Sequence, residues 1–310
     1  MFVVCGEVLM DVFATGETPT GLAFDARIGG SPFNVAMGLA RLGQPVSFLG
    51  GVSRGFVGER LMRALRDERV GTGAVALLDA PTTLSLVGVD AHGVPAYTFY
   101  GAGAADRMLP LAALSSVPDG AQAFHFGSYA MVVEPVATTL RALVERERHR
   151  SLIAYDPNVR LNVEPDLARW NELLDWMLAR AHLIKISEED LGLLRPGAAI
   201  ADIAAQWLAQ GTALVVVTRG GEGALAWTAQ HHVAVPSVAC ELVDTVGAGD
   251  SFQAALLTWL AERDALSPAT LRTLDAPELE AALSFATRAA ALTCSRRGAD
   301  LPRRDALPPA

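Results

Sequence analysis

Nine consecutive residues, Asp244-Thr245-Val246-Gly247-Ala248-Gly249-Asp250-Ser251-Phe252, concentrate the chemistry of this chain. Beyond them Phe252, Ala255, Leu256, Trp259 and Leu260 recur at i, i+3, i+4, i+7 and i+8, which predicts a helix with one apolar face over 249–263. A glycine-rich turn therefore opens into a helix N-terminus, where free backbone N–H groups and the positive dipole end face an anion. Gly247 and Gly249, with Ala248 between them, remove the Cβ atoms that would hold a phosphate away. A carboxylate in such a turn repels phosphate, so Asp250 needs another task. Two readings stay open on these residues alone: a cap on the helix, or a general base taking the proton of an acceptor hydroxyl while the N–H groups hold a transferring phosphoryl group. A dinucleotide loop is excluded by spacing, since G-x-G-x-x-G would require glycine where Phe252 stands.

Other polar residues fall where strands end. Asp156-Pro157-Asn158 follows the apolar run 152–155, and open α/β sheets bind ligands at the carboxyl ends of their strands. Arg160, just beyond, has the forked geometry to clamp a phosphate or a sugar. Thr218-Arg219-Gly220-Gly221-Glu222-Gly223 follows the apolar run 214–217 and reads either as a loop near phosphates or as a glycine turn into a strand at 224–227; the two are compatible. Ser31-Pro32 is a good N-cap and N1 pair for a helix whose buried stripe is Phe33, Ala36, Met37 and Ala40. Asn34 lies off that stripe, beside Gly29-Gly30. Glu7 and Asp11 are four apart and share a face if the first strand continues that far, with Glu7 given a structural role. The six histidines lack metal-ligand spacing; His231-His232 is expected in a solvated turn and His125 in a strand.

The chain has 310 residues, of which 51% are hydrophobic and 19% charged, enough to bury a large core and too apolar for disorder. A formal net charge of −9 argues against nucleic acid as a partner. Lys185 is the only lysine among 25 basic residues, and its context HLIKIS has no glycine loop, which excludes a P-loop, the protein-kinase fold and a Schiff-base enzyme. Cys5, Cys240 and Cys294 are odd in number and without C-x-x-C spacing, as expected of buried thiols in a reducing compartment rather than a zinc site. The opening MFVVCGEVLMDVF carries Glu7 and Asp11 and no cationic region, so it does not read as a signal peptide. No apolar run approaches the ~18 residues of a membrane span. A cytoplasmic, soluble protein is expected.

Apolar β-rich runs at 2–4, 46–49, 123–126, 152–155, 183–186 and 214–217 alternate with amphipathic stretches at 31–42, 56–69, 135–149, 166–181, 199–210, 249–263 and 277–294. That alternation predicts βαβ units on a mostly parallel sheet covered on both faces. Residues 12–28 and 83–103 interrupt it with β ribbons, the second around Asp90-Ala91-His92-Gly93. These are expected to form a small β lid over the sheet edge. Without a repeat, a low-complexity tract or a long linker, residues 1–310 are read as one domain.

Five motifs in order then identify a resemblance. Residues 244–252 resemble the C-terminal signature of the ribokinase-like (PfkB) carbohydrate kinases, and Gly29-Gly30-Ser31-Pro32-Phe33-Asn34 before VAMGLARLG resembles their N-terminal signature. Asp156-Pro157-Asn158-Val159-Arg160, Lys185-Ile186-Ser187-Glu188-Glu189 and the 218–223 segment extend the match over nearly the whole chain. The GEVLMD opening, the TTLSLVGVD…YTFY ribbon and the KISEED run are most similar to the bacterial fructokinases of that family. The resemblance implies a three-layer α/β/α fold with a β lid, and an ATP- and Mg²⁺-dependent enzyme, with K⁺ as a further ion, phosphorylating a primary hydroxyl of a small sugar. It makes Asp250 the base and Gly247, Ala248 and Gly249 the anion hole. Asp11, Gly30, Asn34, Phe99 and Arg160 are implied at the sugar, and Lys185, Ser187, Thr218, Gly220, Gly223 and Gly249 at the nucleotide. Glu189 or Asp190 would reach Mg²⁺ through water, Asp244 would shape a monovalent-cation site, residues 289–298 would flank the adenine, and the lid would offer a dimer surface. Fructose is the first acceptor expected, before 2-keto-3-deoxygluconate, ribose or a nucleoside; a non-catalytic sugar or nucleotide sensor is the alternative class. Two departures stand out: Ser187 and Asp190 replace the family's asparagine and glutamate, and Val52-Ser53-Arg54-Gly55-Phe56-Val57-Gly58 lacks the acidic residues common before Phe-x-Gly.

Overall fold

The computed structural model describes residues 1–89 and 95–307; the Asp90-Ala91-His92-Gly93 turn lies outside the described residues. Eight strands make the main sheet: β1 (Phe2–Cys5), β4 (Val46–Leu49), β9 (Ala123–Gly127), β10 (Leu152–Asp156), β11 (Leu183–Ser187), β12 (Leu214–Thr218), β13 (Ala224–Trp227) and β14 (His232–Val235), in the order β14-β13-β12-β11-β10-β9-β1-β4. The six strands from β12 to β4 are mutually parallel, and β13 and β14 turn back antiparallel at the far edge. Successive side chains point to opposite faces. Leu214 and Val216 thus join one core, with Phe252 and Trp259, while Val215 and Val217 join the other, with Trp170 and Trp207. Both faces are covered, which is why these strands read as unbroken apolar runs.

Helices α1 (Ser31–Arg41), α7 (Ala248–Ala261) and α9 (Ala276–Cys294) supply the first layer, while α3 (Val136–Glu147), α4 (Leu167–Leu178) and α6 (Ile200–Ala209) supply the second. Polar side chains set where several begin. Asp166 accepts from the Ala168 amide ahead of α4, and Asp275 and Glu278 form a reciprocal capping box at α9. Shorter elements escape the sequence reading: α2 (Phe56–Asp67) is as expected, but α5 (Glu188–Leu194), α8 (Pro268–Thr273) and the paired β5 (Gly51–Ser53) and β6 (Ala76–Leu78) are not.

The lid is a second sheet of β2 (Leu9–Thr18), β3 (Gly21–Gly29), β7 (Leu84–Val89) and β8 (Pro95–Tyr100), ordered β3-β2-β7-β8. Its first ribbon begins three residues earlier than expected, at Leu9. Gly6, at φ 147°, ends β1, and Asp11 belongs to β2 of the lid, not to a continuation of the first strand past Glu7. The expected solvated turn at His231-His232 is also corrected, because His232 opens β14 and stacks on Trp227 at 4.8 Å. Of the three cysteines only Cys5 is buried, and Cys240 is exposed. Among the described residues no helix is long and apolar enough to cross a membrane.

Candidate active site

Parallel strands end together, so the polar residues after β1, β9, β10, β11 and β12 collect at one edge of the sheet. Two cavities open there, one of about 490 Å³ beneath the lid and one of about 450 Å³ on the side of α9. Thr245 and Gly249 line both, so the turn into α7 is the wall between them. Gly247 is the N-cap of α7 at φ 79°, and a Cβ there would meet Ala299 at 2.7 Å, which leaves glycine as the residue that fits. The helix starts at Ala248, one residue before the expected Gly249, and no side chain caps it. The Ala248 amide turns back to the Thr245 carbonyl at 3.2 Å, which leaves those of Gly249 and Asp250 to meet an anion.

Asp250 does not cap the helix. It stands in the first turn of α7 and accepts hydrogen bonds from Ser31 Oγ at 2.6 Å and Asn34 Nδ2 at 2.8 Å. Each carboxylate oxygen keeps a lone pair beyond these bonds. Burial pushes the Asp250 carboxyl above the ordinary aspartate range; Ser31, Asn34 and the Lys185 charge pull it back. Ser31, expected as the N-cap of α1, is its first helical residue instead. The cap is Gly30, whose carbonyl accepts from the Asn34 amide at 2.9 Å. Gly30 sits at φ 107°, and a Cβ on it would lie 2.8 Å from the Glu7 carbonyl oxygen, so the chain approaches the link after β1 too closely for any side chain. With the cap on the backbone, the Ser31 hydroxyl is released to Asp250.

Under the lid, Asp11, Gly30, Asn34, Phe99 and Arg160 all line the larger cavity. Burial raises the Asp11 carboxyl, with Ser85 beside it and Arg160 opposing. Phe99 meets Tyr129 edge-on at 6.4 Å. Lys185 reaches this cavity too, its Nζ 2.8 Å from Asp156 Oδ2 in a buried ion pair and about where a Cβ on Gly249 would touch it, at 3.1 Å. Asn158, at φ 42°, lines the wall with its amide nitrogen unpartnered. Glu7 was read as structural and lies on the cavity wall, 1% exposed.

Thr218, Gly220 and Gly223 line the second cavity with Phe252, Ala290, Ala291 and Cys294, so the 218–223 loop and the end of α9 meet as expected of a nucleotide side. The loop is also the turn into β13, the compatible reading. Two expected ligands lie outside both cavities. Ser187 lines neither cavity: its hydroxyl accepts from the Asp190 amide and caps α5. Asp190 is buried away from both, where desolvation first and the neighbouring Asp156 second raise its carboxyl to about 6. Glu189, exposed on the next face of α5, lines the larger cavity. Among the described residues no cluster of three His, Cys, Asp or Glu could hold a metal ion. A lone exposed carboxylate suits a hydrated magnesium ion carried on a nucleotide, which needs few protein ligands. Asp244 accepts from the Val246 amide at 3.0 Å and the Gly298 amide at 2.8 Å, tying the turn to the chain beyond α9.

A lidded α/β fold whose free helix N-terminus divides a polar cavity from an apolar one is the build of a phosphotransferase acting on a small acceptor. The pfkB family carbohydrate kinase model matches residues 1–306, and the chain belongs to that family. It is 35% identical over 275 residues to the fructokinase of Rhizobium leguminosarum bv. trifolii, covering 89% of this chain and 84% of that protein. The crystal structure of a fructokinase with bound ATP from Xylella fastidiosa superimposes with a TM-score of 0.85 at 28% identity, covering 99% of this chain and 94% of the other. A double mutant of the Vibrio cholerae O395 fructokinase, in a fructose, ADP and potassium ion bound form, gives 0.80 at 26% identity over 96% and 93% of the two chains.

Proposed function

We propose that this carbohydrate kinase, acting as one unit over residues 1–310, transfers the γ-phosphoryl group of ATP to a primary hydroxyl of a small neutral sugar, with fructose as the preferred acceptor. The observation that carries this is Asp250, a buried carboxylate held by Ser31 and Asn34 at the mouth of the α7 N-terminus. The acceptor O–H gives its proton to Asp250. Its oxygen forms the new bond to the γ-phosphorus as the bond to the ADP oxygen breaks, and the amides of Gly247, Gly249 and Asp250 face the charge spread over the moving group. Glu189 would hold a hydrated magnesium ion, which would supply charge neutralisation at the phosphates. Asp11 and the side-chain oxygen of Asn34 accept sugar hydroxyls. Lys185 adds positive charge beside Gly249, Thr218, Gly220 and Gly223 border the phosphates, and Ala290 and Ala291 flank the base. Asp244 holds the turn that a potassium ion would order through backbone carbonyls.

Among the described residues, Asp11 and Asp250 outweigh Arg160, the one cation lining the sugar side without an ion pair, which supports a neutral acceptor over a sugar acid or a phosphorylated sugar. A coupled ADP-release assay across fructose, ribose, 2-keto-3-deoxygluconate, tagatose 6-phosphate and adenosine tests the reading, with the highest kcat/KM expected for fructose. ADP release with none of them, together with retained sugar binding, would make the chain a sensor. The exposed Leu22, Phe24, Leu84 and Tyr100 make the lid the surface through which two copies would pair, to be checked by sedimentation of the wild type against Phe24→Glu.

A further inference from the structure

The sugar cavity sets carboxylates and amides side by side, and a sugar hydroxyl both gives and accepts a hydrogen bond. Asp11 and Asp250 accept only when ionised. Of the donors there, Ser31 and one N–H of Asn34 serve Asp250 and the Tyr129 hydroxyl serves Asp106 at 2.9 Å, which leaves the unpartnered Asn158 amide and the Arg160 guanidinium on the wall. A sugar whose hydroxyl protons are taken by aspartates still has oxygens that need a donor. Glu7 sits on the wall of this cavity, on the link between β1 and the lid, with its Oε2 lacking any partner. No cation pairs with it among the described residues. A buried carboxylate without an ion pair is costly, whereas the neutral acid carries one O–H donor.

We propose that Glu7 works as a neutral carboxylic acid that donates a hydrogen bond from its free oxygen to a sugar oxygen, making it a sugar-binding residue of this kinase. The inference rests on the sugar-kinase reading above. The surroundings agree: desolvation first, opposed by Ser128 and its own backbone and reinforced by Asp106, raises the Glu7 carboxyl to about 8, with Arg160 pulling weakly the other way. Asp106 comes from the turn after β8, Ser128 and Tyr129 from the turn after β9, Arg160 from the loop after β10, and Asp11 from the lid. Tyr129 is held far above this range and does not share the titration.

Sugar binding should therefore be full below pH 8 and weaken above it, as ionisation removes the donor. Fructose KM, with fructose affinity by calorimetry alongside, is measured from pH 6.5 to 9.5 for the wild type, Glu7→Gln and Glu7→Ala, after wild-type turnover is established at pH 7. In the wild type KM should climb above pH 8, approaching tenfold per pH unit, with kcat nearly constant. Glu7→Gln, whose amide still donates, should bind within about threefold of wild type at pH 7 and lose the alkaline rise. Glu7→Ala should raise KM about tenfold at every pH below 8. An unchanged KM in Glu7→Ala, or an alkaline rise persisting in Glu7→Gln, overturns the proposal while leaving the kinase reading intact. A wild type that neither binds nor phosphorylates a sugar overturns both. Should Glu7→Ala fail to fold, the pH profiles of wild type and Glu7→Gln decide it alone.

Discussion

The cavity beneath the lid and the cavity beside α9 share a wall and little else. Under the lid the central polar groups are bonded to one another before any ligand arrives, Asp250 to Ser31 and Asn34, and Lys185 to Asp156, with Glu7 and Asn158 left over on the wall. On the other side the wall is Phe252, Ala290 and Ala291 facing residues 236–247, a stretch without helix or strand whose Val238, Leu242 and Val243 are exposed. A preorganised polar site discriminates by geometry, because each misplaced hydroxyl leaves a buried group unpaired. An apolar cleft with an exposed flap binds by area and tolerates adjustment. The difference predicts that substitutions on the sugar side act on chemistry and selectivity, and those on the nucleotide side act on affinity for ATP.

The largest test of that division is Asp250→Asn. The new amide can accept from Asn34 and donate to Ser31, whose hydroxyl can reverse, so the fold and the cavity shape are retained. Turnover should fall by ~10²–10⁴ with fructose affinity within severalfold of wild type, read by steady-state kinetics and calorimetry. Full turnover would remove Asp250 from the chemistry. In the wild type, the acid limb of kcat/KM should lie above the ordinary aspartate range, since burial raises Asp250 and the base must be ionised.

Lys185 is where the division is most easily broken, because it lines the polar cavity and is expected to serve ATP. Lys185→Met leaves Asp156 buried without its partner at 2.8 Å and should cost about 3–5 kcal/mol in denaturant unfolding. Adding Asp156→Asn should recover most of that stability. ATP KM should stay raised in both variants; a KM restored with stability would make Lys185 a structural residue. Smaller again is Ala290→Trp, which fills the apolar cleft. Overpacking of about 1–3 kcal/mol corresponds to a rise of about five- to 150-fold in ATP KM, with fructose KM unchanged. A matching rise in fructose KM would mean that the two cavities are not independent.

Much of this arrangement was legible in the sequence and some could not be. The six parallel strands announced themselves because strands covered on both faces must be apolar throughout, and the 244–252 turn because glycine before an amphipathic run has few other uses. Elements of three to seven residues, such as β5, β6 and α5, are too short to display a period. The partner of Ser31 was beyond reach for a different reason. Its hydroxyl looked like a cap because capping is local, while its actual acceptor, Asp250, lies 219 residues away. The surroundings of Glu7 were out of reach in the same manner: Asp106, Ser128 and Arg160 come from three separate strand ends, and only the fold assembles them. Ser187 and Asp190 stand outside both cavities because the serine caps α5, which fixes the aspartate inward.

The finest test uses the polar cavity's own titration. A Glu7 carboxyl raised to about 8 in the fold is near 4.5 in the unfolded chain, so between these values the unfolded state releases a proton that the folded state keeps. The unfolded chain then binds fewer protons, and the slope of stability with pH is negative. Glu7 accordingly contributes most to stability below pH 4.5, and that contribution is lost as pH rises through 8. Glu7→Gln cannot titrate, so its stability relative to wild type should grow steadily from pH 5 to 8 in urea melts and level off beyond. The apolar cavity has no group with such a slope to offer: Cys294, its one thiol with a resolved shift, is pushed upward and stays neutral through this window. A parallel pH course for wild type and Glu7→Gln would mean that the sugar cavity admits enough water to ionise Glu7, and the contrast between a preorganised polar site and an adaptable apolar one would lose its sharpest edge.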